Sequence, residues 1–406
     1  MSNLPKKWNL LTLNQICDLQ NGYAFKSSDY VNISSTLNCR MSNIRPNGVF
    51  DLEHNQKFLP DSYTEKYKQY LLKDGDVIIA MTDMATEAKI LGVPTIVKTQ
   101  GKNLLLNQRV GKLIIKKPEL IYFPYLKYVL NREQVKKYFL KFAGGGLQIN
   151  LCKDDILSVT IPLPPLEEQK KIAEILDQAE ELRRKRREAI AQLDTLTQSI
   201  FIEMFGDPVK NPKGWKTKSL RDICDEINDC PHSTPSWTKN GVICLRTSNL
   251  TKGGWNWDDT RFVSNETYHE RSKRGYILPN DIILSREGTV GIAAIVTSEI
   301  KVCMGQRLVQ VRPSFSVLTS EFTLQHLLYA LDPTRIGKLM VGSTSQHLNV
   351  KELRDLKIPL PPLSLQKEFS QRVEAVEELK KSHRASLLEL DALFASLQHR
   401  AFKGEL

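Results

Sequence analysis

Arginine, glutamine and small polar residues occur in the same order in the two halves of this 406-residue chain. In each half an Arg precedes a Ser-Asn turn, a Gln-Arg pair follows, and a Gly-rich or Ser/Thr-rich loop comes last. Arg and Gln form bidentate hydrogen bonds with guanine and adenine, and small polar residues suit phosphate oxygens. The pattern predicts contacts with nucleic acid, although residues shared by both halves have the alternative role of fixing the fold. The candidates are Arg40, Asn43, Gln108, Arg109 and Gln148 in the first half and Arg246, Asn249, Gln306, Arg307, Ser343, Thr344, Ser345, Gln346 and His347 in the second.

Catalytic motifs are not found in the sequence. It has no Gly-x-x-x-x-Gly-Lys-Ser/Thr phosphate loop, no Gly-x-Gly-x-x-Gly after a predicted strand, and no Asn-Pro-Pro-Tyr/Phe tetrad of an amino-methyltransferase. Asp83, Glu87 and Lys89 are spaced too closely for a metal-dependent nuclease, and the second half has no equivalent. The histidines and cysteines lack the spacing of metal ligands. We therefore expect no catalytic residue, no metal site and no cofactor bound by this chain itself.

The composition is that of a basic globular protein. There are 57 Lys and Arg residues against 46 Asp and Glu residues, which gives a net charge of +11 and suits an anionic partner. With 41% hydrophobic and 25% charged residues, the chain does not belong to a disordered or fibrous class. It has no run of 18 apolar residues and no secretion signal, so we expect a cytoplasmic protein with reduced cysteines.

The sequence repeats itself over almost its whole length. Trp8 and Trp215 open similar segments, and Ile-Pro-Leu-Pro-Pro-Leu occurs at both 161–166 and 358–363. This Pro-rich segment continues neither a strand nor a helix, so it marks a boundary in each copy. Short Val/Ile/Leu runs before it predict a mixed α/β domain, and the long polar stretch after it has helical periodicity.

The repeat predicts an α+β protein with two similar globular α/β domains separated by an antiparallel two-helix coiled coil, related by a pseudo-twofold axis. The predicted domains are residues 1–161 and 208–358, and the predicted helices are residues 162–207 and 359–406. Neither helix has an apolar partner nearby in sequence, so the two are expected to pack on each other. A short connection after the first helix favours the antiparallel direction. The alternative is that each is a surface helix on its own domain.

Heptad spacing defines the predicted seam between the helices, and basic residues interrupt that seam midway along both of them. We interpret the basic residues as a saddle for a phosphate backbone or an acidic surface, with a solvated helix face as the alternative. The seam residues are Ile172, Leu176, Ala179, Ile190, Leu193 and Ile200 in the first helix and Phe369, Val373, Val376, Leu387, Leu390, Phe394 and Leu397 in the second. The saddle residues are Arg183, Arg184, Lys185, Arg186, Arg187, Lys380, Lys381 and Arg384.

With these features the chain resembles the specificity (S) subunit of type I restriction-modification systems. The segments that carry the resemblance are the two Trp-led openings, the two Pro-Leu-Pro-Pro-Leu boundaries, Gly22–Tyr30, Asp229–Pro235, Arg286–Gly291 and Ala401–Leu406. The resemblance implies two target recognition domains that each read one half of a split, asymmetric DNA site. It also implies a helical spacer that sets the gap and binds two methyltransferase subunits.

The resemblance assigns the chemistry to partner subunits. N6-adenine methyltransferase subunits would bring S-adenosylmethionine, and a motor-nuclease subunit would use ATP and Mg, so the chain itself would be non-catalytic. The resembling segments, with the residues that take the place of Arg286–Gly291 in the first domain, add candidate DNA contacts. These are Lys26, Ser27, Thr82, Asp83, His232, Ser233, Thr234, Arg286 and Thr289. The competing hypothesis is a coiled-coil scaffold that does not read DNA sequence.

Overall fold

The structure is a computed structural model that describes residues 5–85, 88–144, 146–296, 300–332, 335, 340–341 and 347–406. The chain forms two compact units, Met1–Lys185 with Leu387–Leu406, and Arg186–Ser386. Each unit contains one globular domain together with about half of the first long helix, Leu166–Phe205, and half of the second, Leu363–Ala401. The predicted α+β fold with an internal repeat is confirmed.

In the first unit the globular domain is built on two four-stranded sheets. One is antiparallel, and its strands lie in the order Cys17–Asn21, Val110–Ile115, Val77–Ala80 and Pro94–Ile96. The other contains a parallel pair at its centre and has the order Phe58–Leu59, Thr36–Cys39, Asn103–Leu106 and Leu71–Leu72. Two smaller pairings join Asn9–Thr12 to Thr160–Leu163 and Thr82–Met84 to Gln148–Asn150.

The second unit repeats this topology, with three strands in place of four in the sheet that contains the parallel pair. Its antiparallel sheet has the order Cys224–Asp229, Leu308–Pro313, Ile282–Ser285 and Ala293–Ile295. Its other sheet has the order Phe262–Val263, Val242–Leu245 and Val302–Met304, the last two strands being parallel. The smaller pairings are Thr217–Ser219 with Lys357–Pro359, Leu250–Thr251 with Gly254–Trp255, and Met340–Val341 with His347–Leu348.

Short helices complete both domains. The α-helices are Tyr63–Lys66, Phe123–Leu130, Glu133–Leu140 and Lys153–Leu157 in the first unit and Asn265–Arg271, Ser320–Ala330 and Val350–Asp355 in the second. The 3-10 helices are Leu13–Gln15, Ser27–Asp29, Met41–Asn43, Lys68–Tyr70, Leu220–Asp222 and Thr247–Asn249.

The antiparallel sheet is covered on both faces, which explains why its central strand Val77–Ala80 is apolar throughout. In Val77–Ala80, Val77 and Ile79 pack in the cluster that contains the helical residues Tyr125 and Phe139. The alternate residues of the same strand pack against the second sheet. Successive side chains of a strand point to opposite faces, so one strand serves both cores. Ile282 and Ile283 divide in the same way in the second unit.

The two long helices run antiparallel within each unit, as predicted. In the first unit Ile172 and Leu176 lie in one cluster with Phe402, whereas Arg183, further along the same helix, pairs with Asp391. In the second unit the ring centroids of Phe201 and Phe369 lie 5.5 Å apart. All the predicted seam residues are buried or half-buried, which is the pattern expected of interlocking helices.

A buried glutamine fixes the start of each long helix. Gln169 is fully buried, and its Nε2 donates to the carbonyl oxygens of Leu120 and Pro164, both at 2.8 Å, while its Oε1 accepts from Tyr122 N at 2.8 Å. Gln366, 197 residues later, is equally buried and makes the same three bonds with Val317, Pro361 and Thr319. The amide therefore ties the Pro-rich segment to the domain by satisfying backbone groups that would otherwise be buried without partners.

We expect Gln169→Leu to lower the free energy of unfolding by about 2–4 kcal/mol, because three buried backbone groups lose their partner. Chemical denaturation followed by circular dichroism measures this. Lys170→Leu, at the next and exposed position of the same helix, is the control and should change stability by less than about 0.5 kcal/mol. Equal effects of the two substitutions would contradict the role assigned to the glutamine.

Candidate nucleic-acid interface

Three loops meet at one end of the antiparallel sheet in each unit. In the first unit Gly111 pairs with Asn21 and Val110 pairs with Ala80, so the loops after Asn21, after Ala80 and before Val110 emerge together. In the second unit the equivalent pairs are Asp229 with Val309 and Ser285 with Leu308. This topology brings together, within each unit, candidate residues that are far apart in sequence.

In the second unit hydrogen bonds and ion pairs connect these loops. Gln306 Nε2 donates to the carbonyl oxygen of His232, and Thr234 Oγ1 lies 3.5 Å from Gln306 Oε1. Asp229 lies between the side chains of Arg286 and His232, with Arg286 Nε at 3.4 Å and His232 Nε2 at 3.4 Å from its carboxylate oxygens. Loop 231–236 and the Gln-Arg turn therefore form one surface.

The neighbouring Arg307 is exposed and has a φ of 67°. Positive φ is unfavourable for a residue with a side chain and is found most often at turns and binding sites. At the tight turn before Leu308, the Arg307 side chain stays exposed while its Nε lies 3.4 Å from Glu287 Oε1 of the neighbouring loop.

Arg271 organises this surface, and sequence analysis did not find it. It is buried at the end of helix Asn265–Arg271, and its guanidinium donates to the carbonyl oxygens of Met304, Ser233 and Pro231 at 2.8, 3.1 and 3.3 Å. These bonds hold loop 231–236 against the sheet. The basic run from 271 to 274 was the available signal.

A cleft of about 310 Å³ lies between loop 231–236 and that helix. Ser233 and Thr234 contribute hydroxyl groups to its wall, Lys273 and Arg274 contribute positive charge, and Glu270 contributes one negative charge. Arg274 Nη1 donates to the carbonyl oxygen of Asp229 at 3.2 Å. Hydroxyl groups beside cations suit one phosphate group of a nucleic-acid backbone.

The first unit presents a different surface at the same position. Lys26, Ser27, Gln108 and Arg109 are exposed. The turn is held by Tyr23, whose carbonyl oxygen accepts from Gln108 N at 2.9 Å. Aromatic rings take the place of the buried arginine beneath the loop, and the closest pair, Tyr23 and Tyr67, has ring centroids 4.4 Å apart. The hydrogen bond between the Tyr23 and Tyr67 hydroxyl groups raises the pKa of Tyr23. The two units thus offer different groups to a ligand.

Some predicted contact residues lie inside the fold instead. The buried Asn43 accepts from Arg40 N at 2.9 Å and donates to Asp51 O at 3.0 Å, and Asn249 accepts from Arg246 N at 2.9 Å and donates to Asn256 O at 3.1 Å. These amides fix turns, which is the structural alternative stated above, so the prediction that they contact nucleic acid is corrected.

Thr82 and Asp83 are corrected for the same reason. Thr82 Oγ1 donates to Asn150 Oδ1 at 2.9 Å, and Asp83 Oδ2 accepts from the amides of Ile90 and Leu91 at 2.6 and 3.2 Å. Both side chains are buried and leave no surface for a ligand.

The remaining candidates have mixed positions. Thr289 is exposed, and Arg40, Arg246, Arg286, Gln148 and His347 are partly buried. Arg246 pairs with Asp259 at 2.5 Å and thereby lowers the pKa of that carboxyl. Ser343, Thr344, Ser345 and Gln346 lie outside the described residues. The contacts predicted at these positions stay predictions.

The predicted basic saddle is largely paired with acidic side chains. Arg183 Nε donates to Asp391 Oδ1 at 2.6 Å, and Lys380 Nζ lies 2.9 Å from Asp194 Oδ1. The side chains of Arg183 and Lys380 are only 16% and 8% exposed. We therefore correct the prediction for these two residues, because they hold the two helices together and are not free to bind phosphate.

The other saddle residues are also close to partners. Arg186 Nη1 lies 2.6 Å from His383 Nδ1. Ion pairs within one helix join Glu181 to Arg184 at 2.5 Å and to Lys185 at 3.7 Å, and Lys381 to Glu378 at 4.0 Å. Arg187 is half-buried and Arg384 is exposed. For these basic residues, the role in the saddle stays a prediction.

Among the described residues, no group of His, Cys, Asp and Glu side chains is arranged to hold a metal ion. In that same part of the chain, no helix combines the length and apolar character needed to cross a membrane. Burial raises the pKa of Cys17 and of Cys39 to about 12. These thiols stay protonated near neutral pH and are therefore poor nucleophiles.

Comparison with known proteins places this architecture in a family. A family model described as the type I restriction modification DNA specificity domain matches residues 5–192 and 212–390. The chain belongs to this family. The two matches correspond to the two copies of the repeat, and together they cover most of the chain.

Characterised relatives and solved structures agree with this assignment. The chain is 34% identical over 195 residues to the type I restriction enzyme MjaVIII specificity subunit of Methanocaldococcus jannaschii, a match that covers 47% of this chain and 44% of that protein. It is 22% identical to the EcoBI specificity subunit of Escherichia coli over 100% of this chain and 87% of that protein. The crystal structure of the M. genitalium S subunit shares the fold, with a TM-score of 0.54, 14% identity, and coverage of 99% and 97%.

A structure from work on assembly and conformational transition of a type I restriction-modification system aligns with a TM-score of 0.56. It is 20% identical and covers 100% of both chains. At these identities the likeness concerns the fold alone.

We expect Lys273→Gln to weaken binding to duplex DNA and to reduce the slope of log K against log salt by about one, because each phosphate contact releases about one counterion. Fluorescence anisotropy at several salt concentrations measures the slope. Lys218→Gln makes the same charge change at an exposed strand position away from these loops and should leave the slope unchanged. The same slope in both variants would rule out the cleft as a phosphate site.

Proposed function

We propose that this chain is the DNA-reading specificity subunit of a type I restriction-modification complex. Each globular domain would read one half of a bipartite site, and the paired long helices would set the unread gap between the halves. Family membership supports the general assignment. The observation that carries the DNA-reading role is the convergence of three loops with exposed Arg, Gln, Lys and hydroxyl side chains at the same sheet end of both units.

The two half-sites should differ in sequence. In the first unit the loop beside the Gln-Arg turn rests on tyrosine and phenylalanine rings, whereas in the second it is held by Arg271 and carries His232, Ser233 and Thr234. Base discrimination depends on the donors and acceptors that reach the groove. Two domains with different groups at equivalent positions are therefore expected to read an asymmetric site.

The reactions would belong to partner subunits. Two methyltransferase subunits with S-adenosylmethionine would dock on the specificity subunit, and motor-nuclease subunits with ATP and Mg would join for cleavage. The specificity subunit itself would be non-catalytic. The specificity subunit would determine where on the DNA the partner subunits act, because its two domains bind one duplex at a fixed separation.

A heptad inserted in both long helices tests the proposed role of the spacer. Seven residues added after Arg187 and seven after Arg384, which are equivalent positions in the repeat, lengthen the spacer by about 10 Å. The gap should grow by about three base pairs at 3.4 Å per base pair, with both half-sites unchanged. Methylation of a randomised DNA library by the assembled complex, followed by sequencing, measures gap and half-sites together.

Insertion in the first helix alone is the matched control. It shifts one helix relative to the other and separates Arg183 from Asp391 or Lys380 from Asp194, so activity should be lost. If the double insertion is active with an unchanged gap, the helices do not set it. A coiled-coil scaffold without DNA reading would show no sequence preference in any variant.

A further inference from the structure

The two copies of the internal repeat have different side chains at the junction where each globular domain contacts the long helices. In the first unit this junction is filled by aromatic rings. The ring centroids of Phe394 and Tyr128 are 6.3 Å apart, and the Arg183 guanidinium lies 4.4 Å from the centroid of Phe394. Tyr128 also donates to Asp177 Oδ1 at 2.5 Å. Two aromatic rings in a tilted arrangement, a covering cation and a hydrogen bond make this a well-packed junction.

The equivalent positions in the second unit, 197 residues away, hold smaller or unbranched polar side chains. Thr197 corresponds to Phe394, Gln325 to Tyr128 and Lys380 to Arg183. These three residues line a groove of about 570 Å³ within the second unit.

The groove contains an unpaired buried hydroxyl group, which indicates that a ligand binds there. Thr197 is only 4% exposed, and its Oγ1 has no hydrogen-bond partner. An unpaired buried hydroxyl is costly, and such groups are usually satisfied by a partner. Phe201, Leu328 and Tyr329 give the groove an apolar wall. This combination matches an aromatic side chain that also brings a hydrogen-bonding group.

The charges along the groove favour an acidic neighbour. Lys380 pairs with Asp194 and Glu377, and Lys252 lies 3.6 Å from Asp332. Arg384 also lines the groove and is exposed, and in the part of the chain that the structure describes it forms no ion pair. A carboxylate next to the inserted ring would complement this guanidinium.

We infer that this groove receives a segment of a methyltransferase subunit that presents an aromatic side chain beside a carboxylate. The segment supplies in the second unit the ring that Phe394 supplies in the first. The inference rests on the proposed function, since it takes the methyltransferase subunit as the partner. Its consequence is that the two copies of that subunit dock through different contacts, because the first junction is already filled by the chain itself.

Substitutions that fill the groove with an aromatic side chain of this chain should prevent the methyltransferase segment from binding there. Thr197→Phe restores the ring found in the first unit, and Gln325→Tyr restores the second ring at an independent position. Each variant should bind one methyltransferase copy as the unchanged chain does and bind the other about tenfold or more weakly, as expected for loss of a buried aromatic anchor. Titration calorimetry and native mass spectrometry with the purified methyltransferase subunit measure affinity and stoichiometry.

Thr197→Val is the matched control, because it removes the unpaired hydroxyl without filling the groove. It should retain two methyltransferase copies, with only a small change in affinity. The melting temperature of each free variant shows whether it is folded, and Gln325→Tyr decides the matter if Thr197→Phe does not fold. Unchanged binding of both copies by the folded filled variants would overturn the inference. An unchanged chain that binds no methyltransferase would overturn the inference and the proposed function together.

Discussion

The antiparallel register of the two long helices is the constraint on which the rest of the structure depends. Two clusters of charged residues fix it: Arg183 with Glu180 and Asp391, and Lys380 with Glu377 and Asp194. Each member of one cluster has a counterpart in the other cluster at a distance of 197 residues. The internal repeat therefore contains the same arrangement of ion pairs twice. The cationic side chains of these clusters are largely buried, whereas Asp391 and Asp194 are 41% and 58% exposed, so solvent screens the pairs and each contributes less than a fully buried ion pair. The clusters interrupt an apolar seam, and such polar interruptions specify register at some cost in stability.

The register matters because each unit is built from both helices. The start of the first helix is joined to its own globular domain through the Pro-rich segment and Gln169, while the end of the second helix contributes Phe402, whose ring centroid lies 5.7 Å from that of Tyr125. The second unit has the reciprocal arrangement with Gln366, Phe205 and Phe322. A slip of one helix along the other would therefore disturb the aromatic core of both globular domains. This coupling ties each globular domain to both long helices.

Much of the architecture could be predicted from the sequence because the repeat supplies its own alignment. Matching of the two copies gave the mixed α/β character of the globular domains, the Pro-rich boundaries and the seam of the helices. The candidate site was less predictable. Asn43 and Asn249 recur because both turns need a buried amide, so recurrence alone could not separate folding from binding. One acidic partner of Arg183, Asp391, lies 208 residues away on the other helix, so the sequence did not show that the basic residues pair with acidic residues across the two helices. The role of Arg271 depends on carbonyl groups of two distant segments, and no local pattern reports that.

The central claim is that two different readers, held by one helical spacer, recognise two separated halves of one DNA site. Methylation mapping of host DNA by long-read sequencing, with and without the gene for this chain, tests it most directly. The account predicts that one motif loses its methylation when the gene is removed, and that this motif has two dissimilar halves with an unread gap of constant length. A contiguous motif, a palindrome, or an identical methylation pattern in both strains would contradict it.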